Sequence, residues 1–229
     1  MKLTRTLWKP ITLLKLIVIV AIFTFISIEQ TSLAAAQCGS LGGGYGPLDY
    51  NDPNDRKGLS VVERRHFTSK VENLIGGEST SSILADLNYT LRWYPNHHRA
   101  LLAVAKYELR EIQRHRQQHK VYTPPVDGFP QTADCYFDRA IRWRPNDPNV
   151  YLIQGIYLQL RGDLDAALKA YKKSESLQPN SADLQYNLGL LYFARKQYDL
   201  AKNHAKRAYQ LGYPLAGLRH KLTVVGHWP

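Results

Sequence analysis

Residues 148–181 read PNVYLIQGIYLQLRGDLDAALKAYKKSESLQPNS, and residues 182–215 read ADLQYNLGLLYFARKQYDLAKNHAKRAYQLGYPL. Laid over each other without a gap, the two stretches match at a period of 34 residues, so that Gly155 falls on Gly189. The stretch TADCYFDRAIRWRP, which lies upstream, repeats the second half of the same pattern. A fixed period of this length indicates a unit that stacks on copies of itself.

The repeated positions have a physical meaning. Small residues such as Gly155 and Ala167 permit two antiparallel helices to cross closely, and the aromatic residues Tyr171 and Phe137 fill the space beside the crossing. Pro179 follows the second helix and cannot continue it. Each unit is therefore predicted to be a helix-turn-helix, which buries its apolar face only by stacking on a neighbour.

These positions are the helix-contact positions of the tetratricopeptide (TPR) repeat, and the chain from residue 57 onward resembles that family. The resemblance implies an all-α fold, a TPR-type right-handed helical solenoid of about four repeats with a C-terminal capping helix. The expected units are a divergent first repeat at 57–97, a second at 98–147 with an inserted loop at 115–130, a third at 148–181, a fourth at 182–215, and a capping helix and tail at 216–229. Within the first repeat, VVERRHFTSKVENLIGG is expected to form one helix.

The N-terminal segment favours export. The first fifteen residues carry four basic residues and no acid, and the apolar run at residues 16–28 is shorter than the roughly 20 residues that span a bilayer. Residues 1–36 are therefore predicted to be a signal peptide, cleaved before Gln37, with periplasmic or otherwise exported localisation. The alternative is an uncleaved anchor in the inner membrane. An extended, Gly-rich leader is expected at residues 37–56. Its motif CGSLGGGYGPLDY, followed further along the chain by HFT and YPNHHRAL, resembles a group of uncharacterised exported bacterial TPR proteins.

Cys38 and Cys135 are the chain's two cysteines. In an oxidising compartment an even pair indicates a disulfide, and two cysteines are too few for a cysteine-only zinc site. An intramolecular bridge is expected because Cys135 should point away from the inward stripe of its helix. The alternative is that each cysteine pairs between molecules.

The resemblance implies that the first helices of the repeats line a concave groove for a protein or peptide segment. The chaperone-tail carboxylate clamp of some TPR domains is not reproduced, since only Asn187 matches it. The expected groove residues are Arg99, Leu102, Lys106, Leu109, Arg110, Asn149, Leu152, Ile156, Gln159, Tyr186, Asn187, Leu190 and Phe193.

A basic patch follows at Arg110, Arg114, Arg116 and Lys120, in a chain whose net charge is +11. It suggests an alternative function, binding of anionic envelope polysaccharide or lipid headgroups, while nucleic acid is not expected for an exported chain. The histidine pairs His97/His98 and His115/His119 are interpreted as solvated rather than metal-binding. Because no catalytic motif is present, the expected protein is a non-enzymatic scaffold, without metal or cofactor, in envelope assembly or a periplasmic complex.

Overall fold

The computed structural model describes residues 38–41, 46–80, 82–122 and 132–228. The chain divides into two compact units, residues 1–40 and 41–229. Of the first unit only residues 38–40 are described, and the predicted signal peptide lies outside the described residues. In the described parts of the chain, no helix is both long enough and apolar enough to span a membrane.

Every regular element within these ranges is helical. A short 3-10 helix, Asp55–Gly58, is followed by ten α-helices. They are α1 Leu59–His66, α2 Ser69–Glu72, α3 Ile83–Trp93, α4 His98–Gln117, α5 Ala133–Trp143, α6 Pro148–Arg161, α7 Leu164–Leu177, α8 Ala182–Ala194, α9 Tyr198–Gln210 and α10 Gly217–Val224. The expected all-α solenoid is confirmed.

The third and fourth repeats are the helical hairpins α6–α7 and α8–α9. Asp147 and Ser181 cap the N-termini of α6 and α8, and Gly162 ends α6 with a φ of 100°, in the left-handed region that favours glycine. At Gly155 the two helices are so close that a Cβ would overlap the ring of the fully buried Tyr171. Gly155 is therefore a packing requirement.

The first repeat departs from the prediction. Its first half is two helices, because the chain leaves helical geometry at Phe67 (φ −138°, ψ 46°) and is extended at Thr68 before α2 begins. The break buries the Phe67 side chain, whose ring packs edge-on against His97 with 4.8 Å between centroids. The expectation of one continuous helix here was wrong because burial of Phe67 overrides helical continuity.

The inserted loop also begins later than predicted. Helix α4 continues through residues 115–117 and ends at Gln117, where His119 adopts a left-handed φ of 54°. Residues 123–130 of the predicted loop lie outside the described residues. His115 therefore lies on the last turn of α4, while His119 lies beyond it, so the two do not share a helical face.

Two hydrophobic cores stabilise the repeats. The larger runs from Phe67 through α3–α10 to Leu222. The smaller contains the buried residues Leu59, Val62 and Tyr94, and Leu48, Tyr50 and Trp93 pack against it. Residues 46–54, here named the strap, thus contribute apolar side chains to the helical part of the chain.

Candidate functional site: the inner helix faces and the strap

The expected groove residues of α4 divide into two groups. Arg99 forms an ion pair with Glu72 and lies over the Phe67 ring at 5.4 Å, so it stabilises the first repeat. Farther along the helix, Lys106 and Arg110 are exposed and Leu102 is half-buried. The C-terminal half of α4 is therefore the accessible half.

In the third repeat, the expected groove residues are mostly covered. Leu152 is buried with 7% of its surface exposed, and Asn149 and Ile156 are half-buried. The backbone N–H of Asn149 donates to Asp147 Oδ1 as part of the α6 N-cap. The accessible end of α6 is its last turn, where Leu160 is 63% exposed.

The expected groove residues of α8 face the C-terminal segment. The Tyr186 ring stacks on Tyr213 with 3.9 Å between centroids, and its hydroxyl accepts the backbone N–H of Leu218 at 3.2 Å. Phe193 packs against the Tyr198 ring at 5.4 Å. Leu190 is half-buried, and Asn187 donates its side-chain amide to the Asp183 carbonyl. Helix α10 and the turn before it therefore occupy much of this face.

The accessible parts of α4 and α6 enclose an open cleft of about 660 Å³, here named the basic cleft. No carboxylate side chain is among its lining residues in the described part of the chain. Of the predicted basic patch, Arg110 and Arg116 line it, Arg114 instead pairs with Glu111 at 2.5 Å, and Lys120 lies beyond the helix. The lining residues are Lys106, Leu109, Arg110, Ile112, Gln113, Arg116, Gln117, Leu160 and Arg161.

Arg161 is fixed by a polar network beneath the cleft. Its guanidinium donates to Asp134 and Asp163, each at 2.6 Å, and to the Tyr157 hydroxyl at 3.0 Å. Tyr157 in turn donates to the buried Glu108 at 2.8 Å, and Glu108 also accepts the N–H of Ala133 at the start of α5. Burial raises the pKa of Glu108. Glu108 ties α4, α5 and α6 together.

The strap contacts two successive turns between helices. Leu48 donates its N–H to the Trp93 carbonyl at 2.7 Å, and its own carbonyl accepts from the Trp143 indole at 3.2 Å. Asp49 pairs with Arg144 at 2.6 Å. Because Trp93 ends α3 and Trp143 ends α5, the strap joins the corresponding ends of the first and second repeats.

Asp147 is the centre of this arrangement. It is 4% exposed, and its Oδ2 accepts from Asn51 at 2.7 Å, Asn96 at 3.0 Å and His98 at 2.8 Å. Burial alone would raise the pKa of Asp147, but the hydrogen bonds from His98, Asn96 and Asn51 and the charge of His98 outweigh it and hold the pKa below its usual range. The ionised carboxylate thus holds the strap, the start of α4 and the start of α6 together.

Family models match the C-terminal half of the described helices. Residues 156–196 match a model described as TPR repeat, and residues 182–211 match one described as tetratricopeptide repeat. Residues 156–211 of the chain are therefore tetratricopeptide repeats. TPR repeats are a protein–protein interaction scaffold.

Two solved structures to which the chain is similar are described as MamA. One, described as the crystal structure of MamA, is 19% identical, with a TM-score of 0.42, covering 69% of this chain and 84% of that one. The other, described as MamA AMB-1, is 15% identical, with a TM-score of 0.39, covering 75% and 88%. No curated protein matches the chain in sequence.

His97 is a buried polar residue that the sequence interpretation missed. His97 lies at the turn before α4 and is fully buried, between the rings of Tyr50 and Phe67. Its Nδ1 accepts the N–H of Ala100, and its Nε2 donates to Glu63 at 3.1 Å. Burial lowers the pKa of His97, so the ring is a neutral helix cap. The interpretation of His97 as solvated was wrong, and the preceding YPN turn gives no pattern that would reveal its burial.

Both cysteines of the chain are disulfide-bonded, Cys38 with Cys135, as predicted. Cys135 lies half-buried on α5. Among the described residues, no three histidine, cysteine or acidic side chains are placed to hold a metal ion.

Proposed function

We propose that this chain is an exported, non-enzymatic TPR scaffold that binds a segment of a partner protein on the inner faces of its second and third repeats, in envelope assembly or a periplasmic complex. The basic cleft is the observation that supports this location. It combines charged and apolar side chains in one open concavity, whereas α10 and Tyr213 pack against the corresponding face of α8.

Export is supported by two independent features. Residues 1–36 combine a basic start, a short apolar run and an Ala-x-Ala site, as secretory signals do. The disulfide between Cys38 and Cys135 suits an oxidising compartment, since cytosolic thiols are generally kept reduced. Mass spectrometry of the N-terminus of the purified native protein tests cleavage, with Gln37 as the expected first residue.

Site-specific photo-cross-linking in intact cells tests the location of binding. A photoreactive residue replaces Leu109, which lines the cleft, and in a matched variant replaces Lys206, which is exposed on α9. A discrete protein cross-linked at position 109 and absent at 206 is the expected result. Failure of position 109 to capture any protein, with the chain folded, would contradict the proposal.

A second candidate function is binding of anionic envelope polymers or lipid headgroups. It is favoured by the cations Lys106, Arg110 and Arg116 in a lining without carboxylates. Such binding should weaken steeply as salt rises, since each released counterion adds to the salt dependence, whereas a contact that includes apolar surface should weaken only mildly.

A further inference from the structure

Building on the proposed function, we infer the chemistry of the partner: an acidic protein segment in which carboxylates alternate with aliphatic side chains, bound in the basic cleft between α4 and the end of α6. The inference rests on the charge, the apolar surface and the spacing of the lining side chains.

Charge comes first. Lys106 and Arg116 are exposed, and neither has an ion-pair partner within the described residues. Arg110 has only a 3.7 Å approach to Glu111, with one Nη donating to the Leu74 carbonyl. Arg161, in contrast, is neutralised by Asp134 and Asp163. The α4 wall therefore carries two cations without an ion-pair partner in the described residues, Lys106 and Arg116, beside the weakly paired Arg110. This charge opposes a basic segment and fits an acidic one.

Apolar surface decides the class of acidic partner. Leu109 and Ile112 lie half-buried among the cations, and Leu160 is 63% exposed on the facing helix. A sulfated or phosphorylated polymer would leave this apolar surface exposed to water. Aliphatic side chains of a protein segment would cover it, and removal of this apolar surface from water would favour binding.

Spacing is consistent with an extended segment. With a rise of about 1.5 Å per helical residue, Lys106 and Arg110 lie about 6 Å apart along α4, and Lys106 and Arg116 about 15 Å apart. Side chains two residues apart on an extended chain lie about 7 Å apart and point to the same side. Alternate carboxylates would thus meet the cations of α4, while the intervening aliphatic side chains face Leu160 on α6.

Fluorescence anisotropy with the full oxidised chain tests this. The probe is a labelled peptide of alternating glutamate and leucine, compared with peptides in which lysine replaces glutamate or serine replaces leucine. The tested variants are K106E/R116E and L160N, and the matched control is K169E/K206E, which makes the same charge change at exposed positions of α7 and α9. Circular dichroism establishes that each variant is folded.

The Glu/Leu peptide should bind, and the Lys/Leu peptide should not. K106E/R116E should weaken binding about tenfold, since two exposed pairs are lost and each charge reversal adds repulsion. L160N should weaken binding about threefold through lost apolar contact, while the control should stay within about twofold because its charges lie outside the cleft.

Three outcomes of the peptide-binding experiment would overturn the inference. The first is that the Glu/Leu peptide does not bind, and the second is that K106E/R116E leaves its binding unchanged. The third is that the Glu/Ser peptide or heparin binds as tightly as the Glu/Leu peptide while L160N has no effect, which would indicate a surface for polyanions. A protein cross-linked at position 109 through a segment without acidic residues would also overturn it, yet leave the proposed function standing. Absence of any cross-linked protein would instead refute the proposed function.

Discussion

Replacing Asp147 by Asn should destabilise the chain far more than loss of a helix cap does. The carboxylate accepts hydrogen bonds from Asn51, Asn96 and His98 on one oxygen and from the Asn149 backbone on the other. An amide has one acceptor oxygen, and its NH2 group would face donors.

The magnitude follows from the exposure of each partner. Asn51 is exposed and regains water, and His98 is partly exposed. Asn96 is fully buried, so its orphaned donor costs about 1–3 kcal/mol, and the lost charge-assisted bond to His98 adds about 1–2 kcal/mol after allowance for solvent. D147N should therefore lower the free energy of unfolding by about 2–5 kcal/mol.

Urea denaturation measures this difference, with S181A as the matched control. Ser181 occupies the corresponding N-cap of α8, where it accepts only the Leu184 N–H, so its removal should cost about 1 kcal/mol. If D147N costs no more than S181A, the claim that the strap network stabilises the fold is refuted. A double-mutant cycle with N51A should show a coupling of about 0.5 kcal/mol or more, because the two side chains are in direct contact.

Three further outcomes are expected. In urea melts G155A should cost about 1 kcal/mol, because overpacking against the buried Tyr171 ring exceeds the gain in helix propensity, whereas G189A should be near neutral because the Leu218 methyl it meets can rotate. Burial raises the pKa of Glu108 above its ordinary value of 4.5, so the stability that its neutral form contributes is full below that pH and is lost as the pH rises. In urea melts from about pH 4 to about pH 7, the wild type should therefore lose stability relative to E108Q. A difference between the two proteins that stays constant with pH would contradict this. Reduction of the disulfide should lower the free energy of unfolding by at most about 4–5 kcal/mol, and a non-reducing digest of monomer should yield one cross-linked peptide; two free thiols would contradict the bridge.

The sequence predicted the repeats well because their residues obey a period. Gly155 and Gly189 lie 34 positions apart, as do Phe137 and Tyr171, and these helix-contact positions fix how the helices cross. The disulfide could be expected from cysteine number alone. Such local rules determine the third and fourth repeats almost completely.

The contacts of the strap and of the buried polar groups could not be predicted from the sequence. Asn51 and Asp147 lie 96 positions apart, and no periodicity links them. In the sequence, Glu108 cannot be distinguished from any other acid on a helix, because its partners Tyr157 and Ala133 are distant along the chain. Likewise, the basic cleft depends on the end of α6 meeting the second half of α4, a tertiary contact that charge patterning along α4 does not contain.

The strap also changes the order in which the helices should unfold. In an open solenoid each repeat contacts only its neighbours, so the ends fray independently and opening spreads stepwise. Here residues 46–54 bind the turns after α3 and α5 at the same time, which couples helices α1 to α6 into one cooperative block. Helices α8 to α10 are outside that block, so local opening should begin at the C-terminal end and stop before α6. In hydrogen exchange this asymmetry would appear as two classes of amide protection along a single repeat array.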